Sequence, residues 1–323
     1  MKLAPMTAML IAVLSPLSVQ ATTSVTPISA CNDFSKIGDN PKGDYQITTN
    51  LNCDQTIEPL GIFKGTLDGQ GHSISGLHLT GNGNVGLFAQ LRDATVRNLT
   101  LSNISVTGTS TIQSIGVIAG FANNSHLIEV TIDNSTITAP VKVTHGAGML
   151  AGNIEETTVD MVKVINSNLT VAHTNALGML FGQTKDSQLT ELVNSNNILT
   201  ITNDKQEFVG GIVGNALSSS LTNIQSTDNL ISAQILDKGN VGLLTGQLTN
   251  GSTLANAEIR SDVLDVPVEN DQLNKGIAAG NILKPSKTAA TLSNIQTYDI
   301  DEGLYWYNPR HDTDILTEQI IKN

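Results

Sequence analysis

Aromatic residues are scarce in this chain, 3% of 323 residues with a single Trp, which fits a narrow core of Val, Ile and Leu rather than a thick one. Charged residues are also few, at 14%, and they lean acidic: 17 Lys and Arg against 29 Asp and Glu leave a formal charge of −12. That balance argues against nucleic acid or anionic lipid as a partner. Beyond the first 21 residues the apolar runs last only about 5 to 8 residues, far below the ~20 that a membrane-spanning helix requires. Cysteine occurs twice, at Cys31 and Cys53, with no His or Lys beside either to activate a thiol.

What the chain does contain is a repeat. Two glycines four apart inside an apolar run recur at Gly116/Gly120, Gly148/Gly152, Gly178/Gly182, Gly210/Gly214, Gly242/Gly246 and Gly276/Gly280, preceded by Gly86 with Gln90 in the second slot. The steps between first glycines are 30, 32, 30, 32, 32 and 34 residues. Downstream of each box stands an aliphatic residue, another three later, often one two beyond that, and Asn or Asp seven after the first. Val96, Leu99, Leu101, Asn103 is one copy; Leu127, Val130, Ile132, Asn134 and Val159, Val162, Val164, Asn166 are the next. Later copies blur, with Asn196, then Asp228, then Ser261 beside Asp262, then Asp299.

A unit this short cannot bury its own apolar face, so stacked copies must share one core. Helical repeats are disfavoured by the density of Val, Ile, Thr, Asn, Ser and Gly and by the lack of a 3.6-residue period. A leucine-rich repeat matches the Val96-x-x-Leu99-x-Leu101 strand, but its Asn falls one position later and it has no place for the glycine pair. The pattern therefore predicts an all-β chain, a single-stranded right-handed parallel β-helix, with glycines at tight corners and a side-chain ladder through Asn103, Asn134, Asn166 and Asn196.

Met1 to Ala21 reads as a secretory signal: Lys2, an apolar run from Ala8 to Leu14, Pro16, and small residues at the cleavage position. In an exported chain Cys31 and Cys53 are expected to form a disulfide worth on the order of 3 kcal/mol. Residues 22–62 are expected to cap the first coil, 63–297 to form the repeats, and 298–323 to cap the last coil, with a short helix over Ile315 to Ile321.

The stretch Phe63-Lys-Gly-Thr-Leu-Asp-Gly-Gln-Gly-His-Ser-Ile-Ser-Gly-Leu77 follows a Gly43-Asp-Tyr45-Gln-Ile47 segment and precedes Val85-Gly-Leu-Phe88. It resembles the β-helical repeats of bacterial surface and secreted proteins, and the unit is similar to the GLUG motif of adhesin-like proteins and of some immunoglobulin A peptidases. The resemblance spans about Gly43 to Ile295 and implies the fold. The peptidases' zinc motif, His-Glu-x-x-His, does not occur here, so that activity does not carry over.

Asp68 and His72 could suggest an acid and base pair, but among Gly65, Gly69, Gly71 and Gly76 they read as turn-stabilising residues. Tyr305-Trp306-Tyr307 could stack on a sugar ring or insert into a partner, or cover the last coil. Arg310-His311-Asp312 is a compact titratable group read as a solvated turn. No metal-ligand spacing, phosphate-cradling loop or Ser/His/Asp arrangement stands out, and no cofactor is expected. The resulting expectation is an exported, monomeric, non-catalytic β-solenoid that recognises a protein or glycan. A polysaccharide-degrading β-helix enzyme and a purely structural surface component are the alternatives.

Overall fold

In the computed structural model, described for residues 24–203, 205–233, 236, 238–266, 273–282, 290–300 and 317–322, the chain is a parallel β-solenoid in which each lap pairs with the lap before it. One face is an 8-stranded ladder of short strands, running from Ile62–Phe63 through Ala119–Asn123 to Ala279–Ile282. A second face runs from Val25–Ile28 through Asp44–Ile47, Thr66–Asp68 and Thr95–Ser102 to Thr291–Tyr298. The third starts at Leu51–Ile57 and continues through Ser73–Val85, Ser105–Ile115, Thr136–Ala147 and Asn168–Gly178. Leu127, Val130 and Ile132 point inward, as do their equivalents in neighbouring laps, and all are buried. The N-terminal end of this thin core is filled by rings: Phe63 stacks on Phe88 with centroids 4.7 Å apart, and Tyr45 leans on Phe63 at 6.2 Å.

The corners are made by polar residues, and the glycine boxes do a different job. Asn103, Asn134, Asn166 and Asn196 have φ of 53°, 44°, 53° and 55°, the left-handed conformation that Asn tolerates best, and Asp228, Ser261 and Asp299 continue the column. A second left-handed column runs through Asp93, Asn124, Glu156, Asp186, Ser218 and Asn250. None of the paired glycines has a positive φ. They sit where laps approach so closely that a side chain has no room: a Cβ on Gly116 would stand 2.6 Å from the Ala151 Cα, and one on Gly152 would stand 2.6 Å from the Ile115 nitrogen. The first box is one residue short. Gly86 aligns with Gly116 but Phe88 with Ala119, so Ala89 rather than Gln90 occupies the second glycine's column.

The expected Asn ladder forms with one change of partner. Asn134 donates to Asn103 (2.6 Å) and Asn196 to Asn166 (2.8 Å), while Asn166 reaches Asp133 (2.9 Å). Just inside each left-handed corner runs a buried row. Ser135, Ser167, Asn197, Asn229 and Asp262 each accept the backbone N–H of the lap before, at 2.7–3.1 Å. Ser125, Thr157, Ser187, Ser219 and Ser252 form the matching row at the other corner, at 3.1–3.4 Å. These side chains satisfy N–H groups at the turns, where the strand ladders are interrupted.

Cys31 and Cys53 are disulfide-bonded, tying a short helical segment, Phe34–Asp39 with Phe34 and Ile37 buried, to the first strand of the third face. At the other end, Thr317–Lys322 is a strand paired in parallel with Thr291–Tyr298, not a helix. The two apolar residues at Ile320 and Ile321 match a helical period only over a few positions, and an open ladder edge offers the backbone a full set of partners. The expected signal segment 1–21 lies outside the described residues.

A third left-handed column explains the three-residue step of the sequence motif. Asn98, Glu129, Met161, Glu191, Asn223, Asn256 and Asn294, all with φ between 48° and 56°, stand between two inward residues of a strand that would otherwise alternate. The extra residue kinks the strand as a bulge does. Met161, lacking a short polar side chain, bears this conformation at a cost of about 1 kcal/mol, so Met161→Asn should raise the melting temperature by about 2 °C in a thermal scan.

Candidate functional site

Repeated in six laps, that kink folds the second face into a trough of about 790 Å³ on the outside of the solenoid. One wall is the left-handed column from Glu129 through Met161, Glu191, Asn223 and Asn256 to Asn294. The other, two residues on in each strand, is Thr131, Lys163, Val193, Gln225, Glu258 and Gln296. Strand register places the members of each wall side by side, lap on lap, at a strand spacing of about 4.8 Å.

The two halves of the trough differ. Glu129, Lys163 and Glu191 give the first half mixed charge. In the second half the side chains are held by one another: Asn256 donates to Asn223 (3.2 Å) and Asn294 to Asn256 (2.9 Å). On the opposite wall Arg260 donates to Glu258 (3.0 Å) and lies 4.2 Å over the Tyr298 ring, whose hydroxyl donates to Gln296 (2.9 Å).

The residues singled out in the sequence lie elsewhere. Asp68 is buried, which alone would raise its pKa, but hydrogen bonds from the Gln70 N–H (2.9 Å) and Asn98 (3.1 Å) and the Arg97 guanidinium (2.8 Å) hold it below the usual value. His72 faces Asn50 Oδ1 at 3.3 Å, so each member of the suspected pair has its own structural partner. Tyr305, Trp306, Tyr307 and Arg310-His311-Asp312 lie outside the described residues. The trough was signalled by the Val-x-x-Leu step itself: two residues fall outside between inward neighbours, and the pairs Asn223/Gln225, Asn256/Glu258 and Asn294/Gln296 recur at one repeat position.

No family model matches the chain. An alignment of 161 positions that covers 44% of the chain is 32% identical to part of halomucin from Haloquadratum walsbyi, of which it spans 2%. An alignment of 216 positions that covers 60% of the chain is 27% identical to part of the immunoglobulin A1 protease of Streptococcus pneumoniae serotype 4, of which it spans 10%. Among solved structures, a Bacteroides ovatus protein described provisionally as an immunoglobulin A1 protease superposes with a TM-score of 0.53 at 14% identity, over 92% of this chain and 83% of that one. This last likeness shows the fold. The pneumococcal match corrects the expectation that the chain is not an enzyme, since the protein that shares its repeats bears an enzyme's name. A missing zinc motif speaks to one chemistry alone, because function resides in sites grafted on a fold and not in the fold itself. Among the described residues no helix is long and apolar enough to cross a membrane.

Proposed function

We propose that this chain is an exported recognition solenoid that holds an elongated protein or glycan ligand in the trough of its second face. The observation that carries the reading is the trough itself: two register-locked walls of mostly polar side chains, interrupted at Met161 and Val193, open to solvent and continuous over six laps. Backbone pairing fixes the walls, so little ordering is needed on binding. The name of the pneumococcal relative supports a role alongside proteolysis and makes immunoglobulin A1 the first protein ligand to test. Immobilised chain exposed to immunoglobulin A1 and to a glycan panel should retain at least one of them. The double variant Glu191→Lys/Asn223→Lys, which fills the middle of the trough, should weaken that binding tenfold or more. Mass spectrometry of the same mixtures reads any cleavage. Binding unaffected by the double variant rejects the trough as the site.

A further inference from the structure

We infer that the last three laps of the trough bind a neutral, extended oligosaccharide, one sugar residue to a lap; this rests on the trough being the ligand site. Each of these laps presents the same pair, Asn223/Gln225, Asn256/Glu258 and Asn294/Gln296, two residues apart and on opposite walls. An amide offers a donor and an acceptor in one plane, and a carboxylate two acceptors, the groups that engage neighbouring hydroxyls on a sugar ring, which donate and accept together.

Five of the six side chains, all but Gln225, are oriented before a ligand arrives. The Asn row is linked by its own hydrogen bonds, 3.2 Å and 2.9 Å. Glu258 and Gln296 in the opposite row are held by Arg260 and Tyr298, at 3.0 Å and 2.9 Å. Locked side chains lose little rotamer freedom on binding, and that matters most for weak, hydroxyl-by-hydroxyl recognition.

Charge selects a neutral ligand. The one carboxylate among the six, Glu258, is paired with Arg260, and that guanidinium is further engaged on the Tyr298 ring. Among these six side chains no uncompensated cation is left for an acidic sugar, and no uncompensated anion for a basic peptide. Length selects a glycan over a polypeptide. Laps repeat at about 4.8 Å, close to the length of one pyranose residue in an extended chain, whereas an extended polypeptide advances ~3.3 Å per residue and falls out of step within one lap.

Isothermal titration of the full chain with cello-oligosaccharides and N-acetylchito-oligosaccharides, dimer to hexamer, tests this, with a trigalacturonate and a lysine-rich peptide run beside them. Affinity should rise from dimer to trimer in at least one neutral series and then level off. Asn256→Ala and Gln225→Ala should each weaken the trimer about tenfold at unchanged melting temperature. Thr138→Ala, exposed on the third face and outside the trough, should leave it unaltered. Absence of binding in both neutral series, equal binding by Asn256→Ala, or preference for the trigalacturonate or the peptide overturns the assignment. Should a protein ligand be held by the wild type and lost in Glu191→Lys/Asn223→Lys while no sugar binds, the sugar assignment falls and the trough reading stands. Should no ligand depend on the trough, both fall.

Discussion

Gly178→Ala should destabilise the solenoid by at least about 4 kcal/mol and lower its melting temperature by roughly 10 °C. The added methyl would press on the Phe181 carbonyl oxygen in its own lap and stand 2.7 Å from the Gly214 nitrogen and 2.8 Å from the Ile212 oxygen in the next. Every obstacle is backbone, pinned in a ladder that continues to both sides, so no side chain can swing away to make room. Laps on either side must separate, and stability in a stacked array is the sum of such contacts between neighbours. Gly38→Ala is the control. Nothing lies within 4 Å of a Cβ there, in the short helix Phe34–Asp39, and the change should stabilise by about 0.5–1 kcal/mol. Thermal unfolding followed by circular dichroism reads both, and a Gly178→Ala protein that melts with the wild type would show that the laps are not packed this closely.

Asp262→Asn is expected to act in the opposite direction and only above mildly acidic pH. Asp262 ends the buried row that begins with Ser135, and burial pushes its pKa up from 3.8 to about 6 despite hydrogen bonds from Ser226 Oγ (2.5 Å) and from the Asn229 N–H and Nδ2 (both 2.9 Å). The folded state therefore favours the protonated form. Stability from this group is fully present below about pH 4 and is lost as pH rises through about 6, the reverse of a salt-bridged carboxylate. The rise from 3.8 to about 6 corresponds to roughly 3 kcal/mol withheld at neutral pH. Asn has the same shape, keeps an oxygen for the Asn229 N–H, and lets the Ser226 hydroxyl turn to accept. The variant should gain up to about 3 kcal/mol in urea unfolding at about pH 7.5 and match the wild type near pH 4. Equal stability of the two proteins at both pH values would show that folding does not raise the Asp262 pKa.

Much of this architecture is written in single residues. The left-handed corners at Asn103, Asn134, Asn166 and Asn196 can be read directly, because few residue types bear that conformation cheaply. The aliphatic lining follows from spacing alone. The role of the glycines cannot be read in the same way, since a residue chosen for positive φ and one chosen for want of space look identical in a string; only the register of Gly116, Ala151 and Gly152 separates the two. Asp262, legible in the sequence only as the neighbour of Ser261, lies in a row of Ser and Asn whose members are indistinguishable from surface residues until their burial is known. The trough is hard to read in the string for a related reason: its walls are ordinary Asn, Gln, Glu, Thr and Lys with Met161 and Val193 among them, and their meaning lies in recurring beside a bulge.

That a lap pairs in the same way with the lap before and the lap after has a genetic corollary. A copying error that duplicates one unit of this length inserts a lap whose neighbours already fit it, so the shelf lengthens by one rung while each existing rung keeps its partners. Reach can thus change by whole laps, without the chain passing through forms that fail to fold.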